Sequence, residues 1–295
     1  MIAFASNSLL CRAALKQTHI DAAAFTFVRI FSGAVALCLF MNVRRRITVD
    51  RTASPLVESL SGSLLRNGNW ISALALFVYA AGFSFAYTSL SAGTGALLLF
   101  GAVQATMIVW GLQKGERLST IQSIGFIIAV TGLVVLVLPG VSAPPLMGSM
   151  LMLAGGLAWG IYSVRGKGEK KPASATTGNF VRAVPFAAAL SIIFIMRAHL
   201  DLAGVTFGML SGAITSGLGY VIWYSVLPGL KAVSAAIVQL SVPVLAATGG
   251  ILLLAESITL RYVLASLAVL GGIALVVATP HPKDQTASPA GRSRA

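Results

Sequence analysis

Apolar residues run through this chain in long blocks separated by short polar punctuation, and block length is what decides the class. Windows of about 19 residues pick out ten blocks, at 1–16, 22–43, 69–90, 93–112, 119–138, 146–164, 175–196, 204–226, 231–253 and 259–278. A hydrocarbon layer of about 30 Å needs roughly 20 helical residues to cross it, so these are spanning lengths. PGVSAPP at 139–145 closes the fifth block, since proline and glycine stop helices there. The pattern predicts an all-α polytopic membrane protein with ten transmembrane helices, five on each side of that break. The closing PHPKDQTASPAGRSRA is polar and proline-bearing, and 279–295 reads as a disordered tail.

Composition agrees: 57% of the 295 residues are hydrophobic and 10% charged, against about a quarter charged in soluble domains. A net charge of +13 would suggest nucleic acid in a soluble chain. Here it reports orientation instead. With the N-terminus on the cytoplasmic side, that side holds five basic residues in 44–66, two in 114–117, four in 165–171, Lys231 and three in the tail. Those are 15 of the 21, while the connections at 90–93 and 139–145 hold none. The asymmetry predicts both termini cytoplasmic, with the lipid bilayer rather than nucleic acid as the partner of this charge. Cys11 and Cys38 both fall in apolar blocks, so neither a disulfide framework nor a metal site is expected.

The two halves repeat. Residues 89–137 align without a gap on 229–277 at an offset of 140, pairing Leu90 with Leu230, Glu116 with Glu256 and Gly132 with Gly272. Upstream the offset is 153, pairing Arg12 with Arg165 and the FVR triplet at 27–29 with that at 180–182. The difference of 13 residues falls between the second and third helices, where the first half has a long basic connection. Five helices is an odd number, so the second copy enters the membrane upside down. Inverted repeats of this kind build transporters whose site lies near the midplane between the halves.

FASNSLLCRAAL…FTFVR, GERLSTIQSIGFIIAVTGLVVLV and AESITLRYVLASLAVLGGIALVV resemble the two EamA repeats of the drug/metabolite transporter superfamily. GGLAWGIYSVR and YVIWYSVLPGLKAVSAAIVQLSVPVLA are similar to the second repeat's opening and its third and fourth helices. The resemblance covers nearly the whole chain. It implies five-helix repeats at 1–138 and 146–278, export of a small-molecule substrate across a bacterial inner membrane by a monomer or weak homo-oligomer, and no cofactor. Within the superfamily it leans toward aromatic amino acid exporters. The family's proline in the fourth helix is replaced by Val103, whereas its counterpart in the ninth is kept as Pro243, so a kink is expected only there.

Candidate substrate contacts follow from polar and aromatic residues at depth. Asn7, Gln104 and Gln239 stand mid-helix in helices 1, 4 and 9, where each either faces a cavity or bridges two helices. Tyr79, Phe83 and Tyr87 share one stripe of helix 3, with Tyr220 and Trp223 in helix 8 and Trp159 and Tyr162 in helix 6. An aromatic-lined cavity suits an amphipathic metabolite, and lipid-facing belts are the competing use of such residues. Arg29 with Glu256 on the outer side, and Arg182 with Glu116 on the inner, would make gating or docking ion pairs. Snorkelling arginines and helix-capping glutamates are the alternative.

All eight carboxylates and all three histidines fall in connections or at helix ends, which favours facilitated diffusion over proton coupling. Amino acids, aromatic or otherwise bulky and apolar, lead as cargo, with nucleobases, sugars or drugs as alternatives. No clustered catalytic constellation marks a lipid-modifying enzyme, so no catalytic residues are assigned.

Overall fold

The computed structural model describes residues 1–48, 67–115, 117–140, 142–167, 169, 171–226 and 232–278. Among them the chain forms ten helices: α1 (Ile2–Gln17), α2 (Ala22–Thr48), α3 (Trp70–Tyr87), α4 (Ala92–Gln113), α5 (Thr120–Val137), α6 (Leu146–Gly166), α7 (Pro172–Ile193), α8, α9 (Ala232–Leu254) and α10 (Leu260–Ala278). Helix α8 is composite. It runs α-helically over Leu202–Met209, as a π-helix over Leu210–Leu218, and α-helically again over Gly219–Val226.

Local chemistry sets the starts. Asp21 accepts from the Ala23 and Ala24 amides at the head of α2, and Asn69 accepts from Ser72 at the head of α3. Ser119 and Gln122 form a capping box at α5, and Asp201 accepts from Gly204 at α8. Each satisfies amides that a helix N-terminus leaves without partners. Among the described residues, eight helices are long and apolar enough to cross a membrane, and α9 adds the shorter apolar stretch Val238–Leu254. This is a polytopic all-α membrane protein. Large exposed side chains such as Ile121, Ile124, Ile127, Leu264 and Leu267 lie on the outside of α5 and α10, where lipid rather than water covers them.

The connections fall on two faces. One, here the N-terminal face, carries Met1, the ends of α2, α4, α6 and α8 and the starts of α3, α5, α7 and α9. The opposite face carries the starts of α2, α4, α6, α8 and α10 and the ends of the helices before them. There Asp21, between α1 and α2, accepts from the His199 amide in the α7–α8 connection. Helix α3 packs on α6 and α7, α1 on α8 and α9, α2 on α7 and α8, α4 on α6 and α9, and α5 on α10. Close approach fixes two of these crossings. A Cβ at Gly212 would run into the Arg29 carbonyl, which brings α8 onto α2, and Gly125 and Gly272 bring the α5 and α10 backbones together. The tail 279–295 and Glu116 lie outside the described residues.

Candidate functional site

The bundle centre is built on one buried cation. Arg29 sits seven residues into α2, about 10 Å along the axis, and only 2% of its surface is exposed. Its Nη2 donates to the Tyr79 hydroxyl at 2.8 Å and its Nε to Ser216 Oγ at 3.3 Å. The guanidinium carbon lies 5.0 Å from the Tyr79 ring centre and 4.7 Å from that of Phe83, a cation–π arrangement on both. Nη1 has no hydrogen-bond partner, and no carboxylate among the described residues pairs with the group.

Asn7 extends this network across α1. Its Nδ2 donates to the Tyr79 hydroxyl at 3.2 Å, while its Oδ1 accepts from Ser211 at 2.6 Å and Thr215 at 3.1 Å. The π-helix makes that convergence possible. In an α-helix, residue i+5 lies about 140° around the axis from residue i, which would send Ser216 away from Ser211. Hydrogen bonding from i to i+5 brings it back to nearly the same face. Ser211, Thr215 and Ser216 therefore all reach the centre.

Rings enclose the network. Trp159 stands 4.8 Å from both Tyr79 and Tyr220 and 5.3 Å from Tyr162. Phe4 packs edge-on against Tyr220 and Trp223 at 5.8 and 6.1 Å. The cage leaves a cavity of about 10 Å³ bounded by Phe4, Asn7, Ser8, Tyr79, Phe83, Leu99, Phe100, Trp159 and Tyr220. That is close to the room one water needs, so the rings must part to admit anything larger.

Larger cavities open on each face. On the opposite face, about 200 Å³ lies beside Ser89, Thr94, Glu256 and Tyr262. Below it, Arg12 donates from Nε to Glu256 at 2.9 Å and from Nη1 to the Tyr87 carbonyl at 2.8 Å. Glu256 also accepts from the Ala92 amide at 2.8 Å, so it caps α4. Ala255 holds a left-handed φ of 52° just before it, a conformation costing about 1–2 kcal/mol outside glycine. On the N-terminal face, about 180 Å³ lies among Asn69, Ser72, Tyr162, Arg165 and Asn179. There Arg165 donates to Ser72 and Asn69, and Arg182 to the Asn67 and Gly178 carbonyls.

The profile of the EamA-like transporter family matches residues 146–278. An Archaeoglobus fulgidus protein named an uncharacterized transporter is 30% identical over 193 residues, covering 64% of this chain and 68% of that one. The chain belongs to the EamA-like transporter family. Uncharacterized transporter YoaV of Bacillus subtilis is 25% identical over 260 residues, 84% of this chain and 85% of that protein. Uncharacterized protein PA1977 of Pseudomonas aeruginosa is 55% identical over 278 residues, 94% of this chain and 92% of that one. A solved crystal structure superposes with a TM-score of 0.61 at 15% identity, covering 93% of this chain and 96% of that one, and so shares the fold.

Within this EamA-like transporter, the expected residues Asn7, Tyr79, Phe83, Trp159 and Tyr220 meet at the cage, with Trp223 behind Phe4 and Tyr162 between the cage and the N-terminal-face cavity. Gln104 and Gln239 do not join them. They bond to each other at 3.2 Å and bridge α4 to α9. Pro243 lies inside α9, and its missing amide frees the Gln239 carbonyl four residues earlier. The expected pairing of Arg29 with Glu256 is not formed, because Arg12 and the Ala92 amide occupy the carboxylate while Arg29 turns into the bundle. Glu116, the expected partner of Arg182, lies outside the described residues, and Arg182 stacks at 6.0 Å over Trp70. Phe4, Ser8, Ser211, Thr215 and Ser216 are site residues the sequence did not single out. The hydroxyls were visible in SGAITSGLG, but α periodicity groups Ser211 with Thr215 alone and turns Ser216 away.

Proposed function

We propose that this transporter exports small amphipathic metabolites across the bacterial inner membrane by alternating access, with bulky apolar or aromatic amino acids as the leading class. The observation that carries the proposal is the aromatic cage at mid-depth, closed toward each face by a separate set of side chains. Enclosure on both sides is what a carrier needs and a channel does not.

The chain reads as two inverted repeats, 1–138 and 146–278. Helix packing supports this: exchanging the first five helices for the second five turns α3–α6 into α8–α1, α4–α6 into α9–α1 and α2–α8 into α7–α3. The pairs α2–α7, α4–α9 and α5–α10 map onto themselves. The N-terminal face is then cytoplasmic, matching its basic connections.

The described carboxylates cap helices or occupy connections, well away from the cage, which supports facilitated export without a proton carrier. Counterflow in proteoliposomes, run across amino acids, nucleobases and sugars, tests both parts. Saturable exchange of bulky amino acids is expected. Exchange confined to nucleobases or sugars would overturn the cargo, and strong acceleration by an imposed pH gradient would overturn facilitated export.

A further inference from the structure

We infer that the cage recognises its substrate through a carboxylate held by Arg29, while an ammonium group meets no carboxylate among the described residues there. The inference rests on reading the cage as the substrate site. It then goes further, in that deaminated aryl and branched-alkyl carboxylates bind this same site more tightly than the amino acids it carries.

Arginine stays charged at any depth, and isolating that charge from water costs several kcal/mol unless an anion or a full set of acceptors compensates. Arg29 has neither. Two neutral oxygens hold Nη2 and Nε, two ring faces cover the plane, and Nη1 is left without a partner. Ser8 Oγ and the Tyr220 hydroxyl line the same cavity and are buried with no hydrogen bond of normal geometry, Ser8 lying toward the Tyr87 hydroxyl and Tyr220 toward that of Tyr79. The Asn7 carboxamide oxygen is taken by the Ser211 hydroxyl at 2.6 Å, with Thr215 at 3.1 Å dividing its proton between that oxygen and the Ser211 carbonyl. The centre therefore has a guanidinium N–H without an acceptor, two hydroxyls without a well-formed hydrogen bond and, among the described residues, no anionic acceptor. A carboxylate accepts only, and charge-assisted bonds to it are the strong kind.

Around this polar end the walls are rings: Phe4, Phe83, Trp159 and Tyr220. They fit an aryl or branched-alkyl body. In an amino acid the ammonium sits on the carbon that bears the carboxylate. Binding through Arg29 would therefore bring it close to the guanidinium, with no acid among the described central residues to offset the repulsion.

Calorimetric titration of the purified full-length protein with four compounds of one shape tests the idea: 3-phenylpropanoate, 3-phenylpropanamide, phenylalanine and phenethylamine. The carboxylate should bind at least about 10-fold tighter than the amide, phenylalanine should fall between them, and the amine should bind weakest. Arg29→Gln should erase the preference of carboxylate over amide, and Arg29→Lys should keep part of it. The wild-type series stands even if a variant does not fold. Equal binding of carboxylate and amide would overturn the inference while leaving the cage as the substrate site, and so would an unchanged preference in Arg29→Gln. Binding by none of the four would overturn both.

Discussion

The triplet FVR occurs twice, and its two arginines end in opposite environments. Arg29, seven residues into α2, turns into the bundle and meets Ser216 fourteen residues into α8. Arg182, ten residues into α7, bends back along its own helix to the Gly178 carbonyl and on to Asn67 at the N-terminal face. One cation is sunk among rings and hydroxyls; the other is tied off at a rim by backbone oxygens. The lesson is that local sequence does not set the depth of a charge in this fold. The partner helix does: α8 offers inward hydroxyls that its π winding brings to one side.

The largest effect that would sharpen this contrast is functional. Arg29→Leu should lower counterflow about 100-fold, the scale of a buried charge-assisted contact, while Arg182→Leu should cost no more than about 5-fold. Equal losses would erase the distinction. Next comes the relay beside Arg29. Asn7→Leu leaves the Ser211 hydroxyl without its acceptor, while Thr215 keeps the Ser211 carbonyl at 2.8 Å. It should lower counterflow about 30-fold, with a loss of roughly 2 kcal/mol in stability measured by thermal unfolding.

A smaller effect concerns the opposite face. Glu256→Gln removes the charge that Arg12 and the α4 amide share, so Cys11, buried one position before Arg12, should react about 5–10-fold faster with a thiol reagent supplied from that face. Cys38 should react as before, which separates a loosened mouth from general unfolding. Smallest is Gln104→Ala, which should cost about 1 kcal/mol of stability and change counterflow less than about 2-fold, because its carboxamide bonds to Gln239 rather than to the cage.

The helices were legible because lipid makes a simple demand. A spanning segment must be long, apolar and closed by caps, and Asn69, Ser119 and Asp201 mark their starts in the sequence itself. The ring wall was partly legible, since Tyr79 and Phe83 recur on one α-helical stripe. Arg29 was not. Side chains on a helix lean toward its N-terminus, which for α2 points to the nearer membrane face and suggests snorkelling. Its pairing with Glu256 failed for a related reason: Arg12, nearer that face, reaches the carboxylate first. Gln104 and Gln239 looked alike from sequence whether they faced a cavity or one another, and only the α4–α9 crossing decides. Ser216 was hidden by winding, because no count at 3.6 residues per turn places it with Ser211.

That winding has a mechanical corollary. If Leu210–Leu218 tightened from π to α, each residue of slip would rotate Gly219–Val226 by about 100° about the helix axis. Tyr220 would swing off Trp159 and Trp223 off Phe4, while Ser216 would leave Arg29. Torsion in a single helix would thus release the cage wall and the arginine's tether in one stroke, with no tilt required of the other nine.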